Sequence, residues 1–190
     1  HDAGGGTWAT AVSSYNVGIG NYSMDAAMNG ALKNTAVGYG TLSALTTGDQ
    51  NVAIGYNALT ANTTGLENIA IGRDSMDACV SGDYNIAIGS NALGTLADVA
   101  SDFNVAIGYD AMGTANHAST DGCIAIGRST LYTIGTNAQT GTIAIGQQAL
   151  TSLTSGTQNI AIGYQAGEQV VGGTANILIG YLCGDEITSG

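Results

Sequence analysis

The five residues Asn51-Val52-Ala53-Ile54-Gly55 decide the fold, because close variants of them recur along the chain. The closing glycine, called the marker glycine below, falls at Gly20, Gly38, Gly55, Gly72, Gly89, Gly108, Gly127, Gly146, Gly163 and Gly180. Successive markers lie 17 to 19 residues apart. Repetition at so regular a period is the sequence signature of an architecture that stacks one unit on the next.

Alternation within the repeat predicts a β-strand. Residues three and one before the marker are β-branched, as Val52 and Ile54 are, and the residue between them is usually Ala. Period-two alternation puts the β-branched pair on one face of the strand and the Ala on the other. The marker glycine then ends the strand at a bend, where a positive φ or a close backbone contact is expected.

Stacking these strands predicts an all-β fold, a parallel β-solenoid or β-roll of about ten coils of 17–19 residues. The expected core is a ladder of Ile, Val and Leu, and the Ala face is expected to meet a partner chain. Residues three and four after the marker, a small residue and then usually Leu or Met, are expected to pack into the same core from a corner or a second short strand. Because both strand faces are apolar, the sheet is expected to be covered on both sides. A rod on the order of 45–50 Å long follows from the coil spacing.

A column of Asn stands four residues before the marker in eight of the ten repeats, with Cys123 and Thr142 as the exceptions. Identical amides stacked at the coil spacing can hydrogen-bond from one coil to the next. The column therefore predicts an Asn ladder, and a row of glycan-binding amides is the alternative.

Two regions are predicted along the chain. Residues 1–15 form an irregular N-terminal segment and residues 16–190 form the solenoid. The last residues, 187–190, match the beginning of a further repeat, so the solenoid is expected to end in the middle of a coil and to belong to a longer fibre.

Composition excludes several classes of protein. The chain has 190 residues, 30 Gly, no Pro, three Lys plus Arg and a net charge of −11. Three positive charges cannot make a basic face for nucleic acid, and the sequence has no apolar run near the ~18 residues of a membrane helix. A catalytic site needs unlike residues brought together, whereas this chain spaces like residues evenly. Neither an enzyme nor a cofactor is expected.

The column directly after the marker is the candidate binding site. It contains five Tyr and both Arg of the chain: Tyr39, Tyr56, Arg73, Tyr109, Arg128, Tyr164 and Tyr181. Tyr and Arg are favoured contact residues, so the column is interpreted either as a stripe that contacts a glycan or receptor or as a packing ladder exposed to solvent.

Aspartates six before the marker are the weak candidates for a metal site. Asp83, Asp102 and Asp121 occur in consecutive coils, where stacked carboxylates would repel unless they face water or share a cation such as Ca²⁺. The alternative is an acidic loop exposed to solvent.

The cysteines Cys79, Cys123 and Cys183 have no metal-binding spacing and are interpreted as small buried residues.

The Asn-Val/Ile-Ala-Ile-Gly unit resembles the head repeat of trimeric autotransporter adhesins of the YadA type. The longer forms at residues 51–59 and 159–166 look more like repeats in phage tail fibres and bacterial surface proteins. The resemblance covers about residues 16–190 and implies a left-handed coil in a homotrimer.

These patterns together favour a structural role. The expected function is a segment of a trimeric extracellular fibre, a phage tail or virion capsid fibre that projects and rigidifies a receptor-binding appendage. Its expected partners are two further copies and neighbouring fibre or virion proteins, with a cell-surface glycan or receptor as a possible ligand. The alternative is a bacterial surface adhesin that binds host matrix or glycan through the Tyr/Arg column.

Overall fold

The structure, a computed structural model, describes residues 12–95, 101–114, 120–133 and 139–184. These residues form strands and turns, and none of them lies in a helix. Ten strands form one parallel sheet: β1 Val17–Ile19, β2 Thr35–Val37, β3 Val52–Ile54, β4 Ile69–Ile71, β5 Ile86–Ile88, β6 Val105–Ile107, β8 Ile124–Ile126, β10 Ile143–Ile145, β11 Ile160–Ile162 and β12 Ile177–Ile179. Two shorter strands, β7 Thr120–Asp121 and β9 Gln139–Thr140, pair with each other.

Strand pairing confirms the predicted parallel β-solenoid. Each strand pairs with the strand of the next coil, and equivalent residues of the repeat are paired, as Ala53 is with Ala70. The 19-residue coils keep this register, since Ala87 pairs with Ala106 and Ala106 with Ala125. Ten strands joined in this way span roughly 43 Å along the rod at the usual strand spacing.

The two strand faces are the reverse of the prediction. The Ala column is fully buried, as at Ala53 and Ala70, while the Ile and Val columns point outward and Ile54 is 38% exposed. The Ile/Val core ladder and the outward Ala face are therefore wrong. The physical reason is volume: a coil of this length encloses little space between its strand and the opposite corner, so the smaller side chain lies inside.

The core contains Ala from the strands and larger side chains from the corners. Leu or Met four after the marker is buried in eight coils: Met24, Leu42, Leu59, Met76, Leu93, Met112, Leu131 and Leu150. These residues lie in turns with φ near 50°, as Leu59 does at 51°. The prediction that they pack into the core is confirmed, and they do so from a corner instead of a second strand.

The marker glycines confirm both expectations for the bend. Gly72 has a φ of 138°, a value that L-residues with a side chain rarely adopt. A Cβ on Gly72 would lie 2.6 Å from the carbonyl carbon of Gly89 in the next coil and would also overlap the carbonyl oxygen. At the marker glycine, successive coils therefore lie too close for a side chain to fit between them.

The Asn ladder is confirmed and lies inside the coil. Asn68 donates from Nδ2 to Oδ1 of Asn51 at 3.1 Å and to the backbone oxygen of Gly82 at 2.7 Å. Its own Oδ1 accepts from the backbone N–H of Asn85 at 2.9 Å and from Asn85 Nδ2 at 3.2 Å. Because these amides are fully buried, they cannot form the glycan-binding row.

Near the N-terminus, stacking begins within the segment predicted to be irregular. Ser14 forms an isolated parallel β-bridge with Leu32, and the Ser13 hydroxyl accepts a hydrogen bond from the N–H of Gly30 at 3.1 Å. The rest of that segment, residues 1–11, and the C-terminal residues 187–190 lie outside the described residues.

All three cysteines are unpaired, and two of them are part of the core. Cys79 and Cys123 are fully buried, while Cys183 is half-buried against the core edge. Burial raises the pKa of the Cys79 and Cys123 thiols from 9.0 to about 11. The interpretation as small buried residues is confirmed for these two.

The cysteine environments predict differential reactivity and a loss of stability at alkaline pH. At about pH 8, Ellman's reagent should modify Cys183 in the folded chain and leave Cys79 and Cys123 unmodified.

A pKa that is higher in the folded state stabilises the fold below the ordinary thiol pKa, and that contribution is lost as the pH rises toward about 11. In chemical denaturation, the Cys79→Ala/Cys123→Ala variant should therefore show a weaker decline above about pH 9 than the parent chain. Equal declines would contradict the prediction.

Candidate functional site

The Tyr/Arg column lies on the outer surface of the rod, directly after each bend. Its five tyrosines are between 43% and 73% exposed, and Arg128 is also exposed. The bend explains this position: once the marker glycine turns the chain at the end of the strand, the next side chain stands outside the coil. The predicted site residues thus share one exposed edge of the solenoid.

The residues of this column fall into three groups of neighbouring coils, and the structure stacks tyrosines in two of them. Tyr39 stacks on Tyr56 with ring centroids 5.1 Å apart and an interplanar angle of 7°. Tyr164 stacks on Tyr181 at 5.6 Å and 14°. Tyr109 and Arg128 occupy consecutive coils, and Ser90 and Gln147 separate the three groups. The column therefore contains two short aromatic ladders with Tyr109 and Arg128 between them, and it is not a continuous stripe.

Arg73 completes the first group and forms an ion pair. Its Nη1 lies 3.1 Å from Oδ2 of Asp74, the next residue in the same coil, and its side chain is 64% exposed. An ion pair this exposed contributes little to stability. The guanidinium remains accessible to solvent, one coil after Tyr56.

The Asp column has a structural role in the backbone. Oδ1 of Asp83 accepts from the N–H of Leu66 at 2.7 Å, and Oδ1 of Asp102 accepts from the N–H of Asp83 at 2.8 Å. Asp121 accepts from Asp102 in the same way at 2.9 Å. Each carboxylate thus accepts a backbone hydrogen bond from the preceding coil, which accounts for the column without a cation. Among the described residues, no group of three or more His, Cys, Asp or Glu side chains is placed to hold a metal ion.

A second aromatic ladder was not predicted from the sequence. Tyr84 and Phe103 stand five residues before consecutive markers and stack with centroids 4.9 Å apart at 2°. Their spacing of 19 residues equals that of their coils, so an alignment of the repeats was enough to predict that the two rings are neighbours. Both rings are exposed.

A surface cavity of about 390 Å³ lies at one end of the Tyr/Arg column. Tyr22, Tyr39, Gly40 and Asn57 line it, together with Asp25, Ala26, Ser43 and Thr60. Tyr39 was predicted from the sequence as a site residue, and the cavity beside it was not. The available signal was Gly40, the one glycine among ten residues that stand two after a marker.

Comparisons of the chain with protein-family models, with curated proteins and with solved structures found no match. The resemblance to adhesin heads and tail fibres therefore rests on the repeat residues alone. Over the described residues, no helix has the length and apolar character needed to cross a membrane.

Proposed function

We propose that the chain is a structural segment of a trimeric extracellular fibre, in which it projects and rigidifies an appendage of a virion tail or capsid. The observation that carries the proposal is the outward face of the ten-stranded sheet. Nineteen of its twenty outward positions are Ile or Val, and Thr35 is the exception.

The outward face is a partly exposed apolar surface that continues along the whole rod. In the middle of the rod Ile71 and Ile88 are 36% and 37% exposed, and at the ends Ile19 and Ile179 are 58% and 63% exposed. Two columns of this length cover roughly 400 Å², which is within the range of the largest apolar patches on monomers, and such patches often mark interaction sites. A partner on this face supports the proposal.

The periodicity of the face favours further copies of the same chain as that partner. Its side chains repeat at the coil spacing of about 4.8 Å, and a parallel copy presents the same ladder at the same spacing. Aliphatic side chains of two or three copies can then interdigitate over the full length of the rod. In an assembly with closed rotational symmetry every such face is covered by a neighbouring copy, and the number three comes from the resemblance to trimeric fibres.

An extracellular location is supported by the scarcity of protease sites. Only three Lys or Arg residues occur in 190, so trypsin-like enzymes have few bonds to cleave. The net charge of −11 favours solubility of an exposed rod.

Light scattering coupled to gel filtration tests the assembly. A homotrimer has three times the 18.9 kDa chain mass, about 57 kDa. Ile71→Asp/Ile88→Asp should reduce the mass to that of one chain, because two stacked carboxylates per copy would be buried in the contact. The coils should remain folded by circular dichroism, since both side chains point out of the core.

Thr64→Asp is the matched control, because it adds a carboxylate at an exposed loop position away from the sheet face. It should leave the trimer intact. A parent chain that is monomeric at every concentration would overturn the trimeric proposal.

A further inference from the structure

The cavity beside Tyr39 exists because one side-chain ladder is interrupted. Two residues after the marker, other coils place side chains that bond across coils: Asn57 Nδ2 donates to Asp74 Oδ1 at 3.3 Å, and Asn91 Nδ2 donates to Asp110 Oδ1 at 2.6 Å. Gly40 occupies this position in its own coil and supplies no side chain. The result is a notch one side chain deep between Tyr22 of the preceding coil and Asn57 of the following one.

One side of the notch is aromatic. The rings of Tyr22 and Tyr39 meet at 77° with centroids 5.3 Å apart, so they form a corner. Tyr39 is in turn supported from behind by its stacking on Tyr56. A ring held between two neighbours is a preorganised surface for an apolar ligand face, because little side-chain entropy is lost on binding.

The other side of the notch is polar. Asn57 Oδ1 lies only 2.7 Å from the place that a Gly40 Cβ would occupy, so the amide oxygen reaches toward the floor. The Ser43 and Thr60 hydroxyls lie 2.9 Å apart on the wall, and the exposed Asp25 carboxylate stands at the rim. These groups supply both donors and acceptors.

We propose that this notch binds one neutral pyranose unit of a glycan. A pyranose has a face of C–H groups, which suits the negative face of a Tyr ring, and an edge of hydroxyls, which suits the amide, hydroxyl and carboxylate groups opposite. The volume of about 390 Å³ is within the range of small-ligand sites. A net charge of −11 opposes anionic sugars. The site goes beyond the structural role and does not depend on the trimer.

The Gly40→Asn variant tests the proposal by filling the notch. Asn is compatible with this backbone, because Asn57 and Asn91 occupy the same column with φ of 54° and 59° and Gly40 has 65°. The one close neighbour of the new Cβ is the end of the Asn57 side chain, which can rotate away. Ser129→Asn introduces the same residue in the same column, at φ 52° and far along the chain, and is the matched control.

Saturation-transfer NMR and tyrosine fluorescence provide the readouts. The probes are the methyl pyranosides of glucose, galactose, mannose and N-acetylglucosamine, with N-acetylneuraminic acid and choline as charged probes. At least one neutral pyranoside should bind the parent chain with a Kd on the order of 1 mM, as expected for one small ring. Gly40→Asn should weaken that binding by about tenfold or more, and Ser129→Asn should leave it unchanged.

A second pair of variants keeps the test decisive if Gly40→Asn fails to fold. Tyr39→Ala removes the aromatic wall and should abolish binding, whereas Tyr84→Ala removes an exposed, stacked ring outside the Tyr/Arg column and should not. The absence of binding by every neutral pyranoside, binding by choline or N-acetylneuraminic acid alone, or neutral binding that survives Gly40→Asn or Tyr39→Ala would overturn the proposal. The mass measured by light scattering reports the trimer separately.

Discussion

Replacement of Gly72 by Ala is expected to destabilise the folded chain by about 3–6 kcal/mol. At a φ of 138° a Cβ is strained whatever its surroundings, and here it would also overlap the backbone carbonyl of Gly89. No side-chain rotation can relieve the strained φ of Gly72 or move the Gly89 carbonyl, because both belong to the stacked main chain. Chemical denaturation followed by circular dichroism measures the loss.

Gly122→Ala is the control that has a positive φ without the coil contact. Gly122 also has a positive φ, of 62°, but a Cβ there would meet nothing within 4 Å. It should therefore cost only the local backbone strain, about 1–2 kcal/mol. Equal losses for the two variants would show that coil contact at the marker glycine contributes nothing.

Asn68→Leu is expected to destabilise the chain by about 3–5 kcal/mol, because the change leaves several buried polar groups without partners. The backbone N–H of Asn85 loses its acceptor and the Gly82 carbonyl loses its donor. Asn51 and Asn85 each lose one amide contact as well. Thermal or chemical unfolding reports the effect.

The same substitution at Asn62 should act in the opposite direction. Asn62 is fully buried, and neither its Nδ2 nor its Oδ1 has a nitrogen or oxygen atom as a hydrogen-bond partner; the Cys79 thiol, a weak partner, is the neighbour of its amide. It stands ten residues before a marker, a position at which the preceding coil has the buried Leu45 and the following coil Cys79. Asn62→Leu removes an unsatisfied amide and should stabilise the chain by about 1–3 kcal/mol. A loss of stability at both positions would contradict the assigned roles of the two amides.

Much of the fold could be predicted because the repeat aligns equivalent residues. The alternation around Ala53, the bend at Gly55 and the amide ladder through Asn51 all follow from local chemistry repeated at one spacing. The orientation of the strand could not be predicted in this way. Ile54 and Ala53 are both apolar, so alternation separates two faces without indicating which is inside. The space available opposite the strand decides, and that space depends on how the corner at Leu59 folds.

The candidate site was only partly predictable for a related reason. The position of Tyr39 after a bend was enough to place its ring on the surface. The cavity beside it depends on the side chain that Gly40 lacks, whereas the repeat pattern contains only the residues that recur. The angle between the tyrosine rings and the position of the Asn57 oxygen depend on the three-dimensional structure, and no column of the repeat indicates them.

The 19-residue coils have a consequence for how such a rod can change. Three consecutive coils have 19 residues where most others have 17, yet β5, β6, β8 and β10 keep their pairing. Segments between strands can therefore differ in length and sequence while the ladder stays in register. An engineer could graft a peptide epitope into these coils, and natural variation could diversify the surface there, without redesigning the scaffold.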